Sequence, residues 1–330
     1  MKIDHYKEYF SSRFDLEIKE EGNGEVLTGM LVEKDGDESA KKVPIVRGIP
    51  RFVPESNYAD NFGLQWNKYK STQLDSVSGL SLTAKRFWEN TNWTKDELRG
   101  KRVLEVGSGA GRFSEIFLGT EAELVSFDYS CAVDANLSSN GQKGDFLLFQ
   151  GDLYDIPFDD ESFDFVFCYG VLQHTPDPLK AYDSIFRKLK SGGKISIDYY
   201  RKFESPNSWS TPKYLWRPIT SKMNPKHLLN VIKFYVPLYL PFDTFLKRKF
   251  KNGYNIAAYI PIPIWNYLTF GLSEEQRKEW AIMDTFDALG ARYDYPKTLE
   301  EIREMVASEE NHSESLFYGS NGIVANIEKK

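Results

Sequence analysis

Cysteine is almost absent from this sequence, and its scarcity excludes two kinds of structure. The 330 residues contain two cysteines, Cys131 and Cys168, which lie far apart in the chain. A disulfide framework or a cysteine-rich zinc site needs more thiols than this. Cys168 falls in an apolar run and is predicted to be a small buried side chain. We therefore expect neither a disulfide scaffold nor a metal.

Long apolar runs and an excess of positive charge are also missing. No stretch approaches the roughly 18 uninterrupted apolar residues that indicate a membrane span, and the N-terminus has no apolar core of signal-peptide length. These absences predict a cytoplasmic protein without stable membrane insertion. The formal net charge is -6, so nucleic acid is an unlikely partner. Composition leaves the oligomeric state open.

Strands alternate with helical patterns through the middle third of the chain. Helices are predicted at Arg112–Leu118 and Leu179–Leu189. Strands are predicted at Glu25–Val32, Val43–Val53, Val103–Val106, Glu123–Phe127, Phe146–Gln150, Phe163–Tyr169, Lys194–Tyr199, Ser315–Tyr318 and Gly322–Ile327. Between residues 101 and 200 this alternation predicts an α/β fold, with a parallel sheet and helices on both of its faces.

The strongest motif is a glycine-rich turn between the first strand of this region and its helix. Gly107, Gly109 and Gly111 lack a Cβ, so a ligand can approach the backbone closely, although a plain tight turn is the alternative. The dinucleotide fingerprint places its third glycine one residue later, where this chain has Arg112. The ligand therefore need not carry a pyrophosphate. Glu105 suits a cationic ligand, either directly or through the hydrogen bonds of the loop.

Two acids follow at the ends of the next two strands. Asp128 stands about 20 residues after the loop, where an acid binds both hydroxyls of a ribose or else caps a helix. Asp152 and the apolar Leu153 follow the third strand. Because ligands of such sheets bind beyond the carboxyl ends of the strands, the loop and both acids are predicted to converge on one crevice.

These motifs resemble the class I S-adenosylmethionine-dependent methyltransferases, particularly the UbiE/type 11 group. The matching segments are Glu105–Gly111, Asp128, Gly151–Asp152, Ser162–Val166, Gly170–Thr175 and Leu189–Gly193. The resemblance implies a Rossmann-like seven-stranded sheet whose last two strands form its antiparallel end. It also implies a transferase that uses S-adenosyl-L-methionine as cofactor.

The resemblance further assigns roles in cofactor binding. Gly107, Gly109 and Gly111 would flank the methionine part. Asp128 would bind the ribose, and Asp152 with Leu153 the adenine. The pocket wall would be lined by Tyr169 and Gly170.

Five regions are expected along the chain. Residues 1–57 resemble a degenerate, metal-free Trm112-like module, in which Val32 and Asp35 stand where cysteines are usual. Residues 58–100 form a helical cover, 101–200 the cofactor-binding core, 201–294 a cap over the substrate, and 295–330 a C-terminal helix with the last two strands. In the cover, Gln65 and Trp66 either close the methionine end of the site or belong to a helix packed on the sheet edge.

The cap contains two segments of interest. Lys233–Phe250 is apolar and ends in basic residues, and Pro237 and Pro241 predict that no long helix forms there. This segment is interpreted as a packed cap, with a membrane or lipid contact as the alternative. Farther on, a polar cluster either contacts substrate or forms salt bridges at a helix end. Its members are Asp284, Asp287, Arg292 and Tyr293.

His174 is the candidate catalytic base. It follows the fourth strand of the core, and an imidazole suits proton abstraction near neutrality. The alternative is a structural histidine that caps the turn after Thr175. The amino-methylation tetrad of nucleic-acid enzymes is replaced by Tyr169-Gly-Val-Leu. We therefore expect O-methylation of a small polar metabolite or sugar precursor. The alternative hypotheses are an enzyme that methylates tRNA or protein and a cofactor-binding partner protein without catalytic activity.

Overall fold

The N-terminal residues form a small antiparallel sheet at one edge of the molecule. The computed structural model describes residues 1–34, 40–202, 212–250, 253–308 and 310–330, so Asp35 lies outside the described residues. The elements of this part are α1 (Ile3–His5), a π-helical turn (Tyr6–Phe10), β1 (Phe14–Gly22), β2 (Glu25–Glu33), β3 (Lys42–Val46) and β4 (Ile49–Pro50). They pair in the order β1-β2-β3-β4.

The strand-like run Val43–Val53 is divided into two strands in the structure. Arg47 and Gly48 adopt left-handed φ angles of 53° and 74° and form a turn between β3 and β4. β1 was not predicted, although Phe14, Leu16 and Ile18 alternate with acids over its first five residues, which is the pattern of a half-buried strand.

Four short helices precede the main sheet: α2 (Asp60–Lys68), α3 (Asp75–Ser78), α4 (Leu82–Thr91) and α5 (Lys95–Leu98). α5 begins with a capping box, in which Thr94 accepts from the Glu97 N–H and the Glu97 side chain accepts from the Thr94 N–H. This reciprocal pair satisfies donors that the helix itself leaves free.

The main sheet has seven strands and confirms the predicted α/β fold class. Its strands are β5 (Arg102–Val106), β6 (Glu123–Asp128), β7 (Phe146–Gln150), β8 (Phe163–Cys168), β9 (Leu189–Tyr199), β10 (Asn311–Gly319) and β11 (Gly322–Lys329). Their spatial order is β10-β11-β9-β8-β5-β6-β7. β5 to β9 are parallel, and β10 and β11 form the antiparallel end.

Helices connect these strands as the alternating pattern predicts. They are α6 (Ser114–Leu118), α7 (Val133–Asn140), a 3-10 turn (Leu172–His174), α8 (Pro178–Phe186) and α13 (Leu299–Val306). The chain leaves β5 toward β6 on one side of the sheet and later returns to β8 on the other. The carboxyl end of β5 is therefore the topological switch point, where such sheets bind ligands.

The N-terminal sheet shares one hydrophobic core with the main sheet. Phe10 and Phe52 pack against Phe158 and Phe149, with ring centroids 5.8 and 5.7 Å apart. The Phe52 N–H also donates to the Gln150 carbonyl of edge strand β7 at 2.8 Å. The first 57 residues thus cover an edge that would otherwise offer unpaired backbone groups.

The cap between β9 and α13 is helical and corrects one prediction. It contains α9 (Lys213–Thr220), α10 (Pro225–Lys249), α11 (Gly253–Ala258) and α12 (Glu274–Gly290). α10 runs for 25 residues through Pro237 and Pro241, which we expected to end it. The two prolines remove the N–H groups that would bond to the carbonyls of Lys233 and Pro237, and the helix continues in spite of this loss.

The inner face of α10 packs on α12 through a second apolar cluster. Ile232 and Val236 of α10 and Met283 and Phe286 of α12 are all fully buried in it. No helix in the described ranges is both long enough and apolar enough to cross a membrane.

Candidate functional site

A cavity of about 1010 Å³ opens at the carboxyl ends of β5 and β6 and extends beneath the cap. This volume is at the upper end of the roughly 300–1000 Å³ found for ligand pockets. Nine of the eleven predicted cofactor residues line it: Gln65, Trp66, Gly107, Gly109, Asp128, Asp152, Leu153, Tyr169 and Gly170. Glu105 and Gly111 are not among the lining residues.

The glycine loop has a backbone that side chains would disrupt. Gly107, Gly109 and Gly111 have φ angles of 76°, 53° and 84°. A Cβ on Gly107 would lie 2.2 Å from the Val171 side chain, and one on Gly111 would lie 2.0 Å from that of Asn136. All three positions therefore require glycine for conformation as well as for close approach.

Glu105 supports the loop from behind. Its Oε2 accepts hydrogen bonds from Ser114 and Ser126, and Asn136 donates to the Ser114 hydroxyl at 2.9 Å. Burial raises the pKa of Glu105 to about 7, although the two serine hydrogen bonds oppose the shift. Glu105 thus ties the end of β5 to α6 and β6 behind the loop.

Asp128 joins the loop to the end of β6. Its Oδ2 accepts from the Gly109 N–H at 2.9 Å, and its Oδ1 accepts from the Ser130 N–H and hydroxyl at 2.8 and 2.7 Å. Burial raises its pKa, and these hydrogen bonds act against the rise. The carboxylate faces the cavity and is held in one orientation.

Aromatic rings flank the region around Asp152. Tyr58 stacks on Tyr129 with ring centroids 4.6 Å apart, and both line the cavity with Leu153. The Oδ1 atom of Asp152 accepts from the Tyr154 N–H at 2.9 Å. An acid beside flat apolar surfaces suits a planar base with exocyclic N–H groups.

Helix α2 lies across the glycine loop. A Cβ on Gly109 would lie 3.1 Å from the Trp66 Nε1 atom, so the indole contacts the loop directly. Gln65 is 1% exposed, and neither polar atom of its amide has a hydrogen-bond partner within the described residues. On its other side α2 rests on the Cys131 thiol, because a Cβ on Gly63 would lie 2.5 Å from that sulfur.

A buried ion pair fixes the wall next to the loop. Arg86 of α4 pairs with Asp198 at the carboxyl end of β9, and Asp198 also accepts from the Gly170 N–H at 2.5 Å. The Arg86 guanidinium lies 5.6 Å from the ring centroids of Phe113 and Tyr169. Gly170 is thereby held in its left-handed conformation, with a φ of 72°.

His174 lies in the 3-10 turn after β8 and is 7% exposed. Its Nδ1 atom is 2.8 Å from the Tyr293 carbonyl oxygen. A carbonyl only accepts, so Nδ1 carries a proton, and in the neutral imidazole Nε2 keeps the lone pair. Within the described residues Nε2 has no hydrogen-bond partner. Phe62 and Tyr200 hold the ring, each with its centroid 5.2 Å away.

Two acids of the predicted cap cluster face the cavity from α12. Asp284 accepts from the Tyr267 hydroxyl, and Asp287 accepts from the Tyr200 hydroxyl at 3.2 Å. Burial, and then the charge of Asp287, raise the pKa of Asp284 to about 8. Asp284 is therefore mostly protonated at neutral pH and can donate a hydrogen bond.

The other members of that cluster lie elsewhere. Arg292 is exposed and does not line the cavity. Tyr293 lies outside the lining and meets His174 through its backbone. Asp294, whose side chain is 1% exposed, forms salt bridges with Lys213 at 2.7 Å and Arg217 at 3.5 Å. Salt bridges therefore account for Asp294 at the end of this segment. The position of Asp284 and Asp287 in the cavity wall suits contact with a substrate.

Two arginines in the cavity wall were not predicted as site residues from the sequence. Arg112, noted there only for its spacing, donates to Gln73 and lies over the Phe113 ring at 4.7 Å. Burial lowers its pKa to about 10, so it stays charged at neutral pH. Arg86 meets Asp198 across 112 residues of sequence, and no local pattern signals such a pair. Asp198 itself was detectable as an acid at the end of a predicted strand.

Comparison with known proteins identifies the central segment. Residues 104–197 match the family model described as a methyltransferase domain. The chain is 33% identical over 139 residues to the demethylmenaquinone methyltransferase of Clavibacter sepedonicus, covering 38% of this chain and 56% of that protein. It is 33% identical over 106 residues to the ubiquinone biosynthesis O-methyltransferase of Thiobacillus denitrificans, covering 31% and 45%. The matches thus span about half the length of these relatives.

A solved structure also overlaps part of this chain. The S-adenosylmethionine-dependent methyltransferase of Aquifex aeolicus is 17% identical, with a TM-score of 0.34 over 46% of this chain and 78% of that one.

Proposed function

We propose that this chain, whose residues 104–197 match a methyltransferase domain, is a class I S-adenosylmethionine-dependent methyltransferase. It would methylate a hydroxyl group of a small polar acceptor held between the sheet edge and the cap. The observation that carries the proposal is the single cavity, which the glycine loop and Asp128 enter from the sheet and Asp284 and Asp287 enter from the cap.

The residues present fit the cofactor. The glycine loop offers a surface that a Cβ would fill, Asp128 offers a fixed carboxylate for a diol, and Tyr58, Tyr129 and Asp152 offer a slot for a base. The Ser108 hydroxyl and the Gln65 amide, which have no hydrogen-bond partner in the part of the chain that the structure describes, add buried polar atoms that a ligand can satisfy. When bound, S-adenosylmethionine supplies a methyl group on a positively charged sulfur.

The chain's own contribution is to orient the acceptor, exclude water and remove a proton. Alignment of two bound reactants accounts for roughly 7–11 kcal/mol of a barrier. His174 is the proposed base: its Nε2 lone pair would take the hydroxyl proton while the Tyr293 carbonyl holds the proton on Nδ1. The resulting imidazolium would keep its orientation because Phe62 and Tyr200 pack on the ring.

The acceptor end of the cavity combines aromatic and polar groups. Trp265, Tyr267, Phe270 and Trp280 line it beside Asp284 and Asp287. Aromatic faces suit the apolar side of a ring-shaped molecule and the acids suit its hydroxyls, which favours a sugar precursor or a similar metabolite. The names of the two relatives mention demethylmenaquinone and ubiquinone biosynthesis, so a quinone-type acceptor is the second candidate. A cytoplasmic location is part of the proposal.

The test combines binding with turnover. Calorimetry should detect binding of S-adenosylhomocysteine but not of NAD, and Asp128→Ala should weaken the former by roughly 1–3 kcal/mol, because a buried diol loses a charged partner. Asp155→Ala, at an exposed salt bridge outside the cavity lining, is the matched control. Binding of NAD alone would overturn the cofactor assignment.

The acceptor is tested with radiolabelled cofactor. Nucleotide-sugars, free sugars and quinols are offered beside tRNA and protein fractions, and label is expected in a small molecule. Label only in the macromolecules would favour the competing acceptor class. Binding of S-adenosylhomocysteine with no transfer to any fraction would favour a non-catalytic binding protein.

A further inference from the structure

The outer face of α10 carries an apolar stripe that nothing in the described structure covers. The stripe consists of Val231, Phe234, Leu238, Phe242 and Phe245, which are 49–71% exposed. Their spacing of three and four residues puts them on one side of the helix. The opposite side is apolar as well and packs on α12. A surface helix normally turns a polar face to water. The exposed apolar stripe of α10 therefore indicates that a partner covers this face.

Exposed basic residues stand at both ends of the stripe. Lys222 and Lys226 precede it, and Arg248 and Lys249 follow it. Residues 212–250 contain eight lysines and arginines and one acid, in a chain whose net charge is -6. That acid, Asp243, is 1% exposed and pairs with Lys247 at 2.8 Å. The charges that this face presents are therefore positive.

We propose that the outer face of α10 binds the surface of an anionic lipid bilayer, with the helix axis parallel to the membrane. The apolar stripe would enter the region between headgroups and acyl chains, and the basic residues at each end would reach the headgroup phosphates. A shallow depression supports this orientation, because Pro241, Thr244 and Phe245 line it together with Arg248 and Lys249. An apolar floor beside two cations matches a phospholipid headgroup and the start of its chains.

Helix α9, which precedes α10 in the chain, also exposes apolar side chains. Leu215, Trp216 and Ile219 are 38%, 45% and 63% exposed. Trp216 donates to the Pro261 carbonyl at 2.7 Å, and Tyr235 of α10 donates to the Pro263 carbonyl at 2.8 Å. Both helices thus border one short segment. A tryptophan at the rim of an apolar surface is typical of interfacial anchors.

The charge pattern distinguishes a membrane from the other occupants of an apolar face. A second copy of this chain, docked symmetrically, would bring positive ends against positive ends. Nucleic acid would satisfy the charges and leave the apolar stripe in water. An anionic bilayer would pair with the basic residues and also remove the apolar stripe from water.

The test is sedimentation of the full chain with lipid vesicles. Vesicles of phosphatidylcholine with phosphatidylglycerol should bind the protein, and pure phosphatidylcholine should bind it at least ~10-fold more weakly. Added salt should also weaken binding. The paired change Phe234→Gln and Leu238→Gln should lower the bound fraction by ~10-fold or more. Because both side chains are exposed, the thermal midpoint should change little.

Two further variants make the result specific. Arg248→Gln with Lys249→Gln should remove the preference for phosphatidylglycerol even if the stripe variant folds poorly. Val77→Gln with Leu179→Gln changes two side chains that are 59% and 53% exposed outside the cap, and it should bind vesicles like the wild type. Absence of vesicle binding by the wild-type chain, or equal binding by all variants, would overturn the proposal.

Light scattering tests whether the stripe instead forms a contact between two copies of this chain. If the stripe variant converts a dimer to a monomer and the wild-type chain ignores vesicles, the occupant is a second copy and the membrane proposal is wrong. Methyl transfer is measured separately with a water-soluble acceptor, so failure of vesicle binding and failure of the enzymatic proposal are distinguishable.

Discussion

At the scale of single residues, His174 combines a fixed proton on one nitrogen with a free lone pair on the other. His174→Ala should lower turnover by about 100-fold or more, because the hydroxyl proton loses its acceptor. Calorimetry with S-adenosylhomocysteine should give nearly unchanged affinity, since the predicted cofactor residues remain in place.

A second substitution separates a base from a structural histidine. His174→Gln retains an N–H that can donate to the Tyr293 carbonyl but cannot take up a proton at neutral pH. We expect a thermal midpoint near that of the wild type and a rate near that of the alanine variant. Recovery of the rate with glutamine would show that the imidazole only positions the turn.

Glu105 makes stability depend on pH. Its pKa of about 7 lies above the ordinary value of 4.5, so the folded state binds its proton more tightly than the unfolded chain. The stabilisation is complete below about pH 4.5 and is lost as the pH rises through about 7. Glu105→Gln mimics the protonated side chain and should reduce this loss. Urea unfolding at about pH 5 and about pH 8 measures the difference.

Asp164→Asn is the control. Burial acts to raise the pKa of Asp164, but hydrogen bonds from the Arg102 N–H and from Lys190 outweigh it and lower that pKa below its ordinary value. Asp164 is therefore ionised at both pH values, and its variant should keep the wild-type pH slope. Identical pH slopes for wild type and Glu105→Gln would contradict the assignment.

At the scale of elements, α10 contains a proline whose replacement should make the protein more stable. Pro241 lacks the N–H that would bond to the Pro237 carbonyl, and a proline inside a helix costs roughly 3 kcal/mol. Pro241→Ala should raise the free energy of unfolding by about 1 kcal/mol or more, as measured by urea denaturation. Pro225 occupies the first turn, where proline is well tolerated. Pro225→Ala should therefore give no gain, and an equal gain in both variants would refute this explanation.

The elements that the sequence predicted are those with local signals. The buried strands of the core are short apolar runs, and the glycine loop with Glu105 and Asp128 depends on spacings within 25 residues. The expectation that Pro237 and Pro241 would prevent a long helix was wrong, because the packing of the inner face of α10 on α12 outweighs the low helix propensity of proline. Arg86 and Asp198 were missed because their pairing exists only after the sheet has formed.

At the scale of the whole molecule, the N-terminal sheet and the core should unfold together. Phe10 is fully buried between the two, and Phe→Ala changes in cores cost roughly 3–5 kcal/mol. All seven tryptophans lie outside residues 1–57, so their fluorescence reports the rest of the chain. Phe10→Ala should lower the midpoint of that tryptophan transition.

Ile18→Ala, at a side chain that is 43% exposed in the same sheet, should leave the midpoint almost unchanged. A tryptophan transition that ignores Phe10→Ala would mean that residues 1–57 fold as an independent unit.

The contact between Gly63 and Cys131 gives the chain its own reporter of motion. Helix α2 rests on this half-buried thiol and, through Trp66, on the glycine loop. The other thiol, Cys168, is fully buried in the sheet. Alkylation of Cys131 by a bulky reagent therefore speeds up whenever α2 lifts from the loop, and a ligand that holds α2 in place slows it. The labelling rate of one native cysteine measures how often the cofactor site opens.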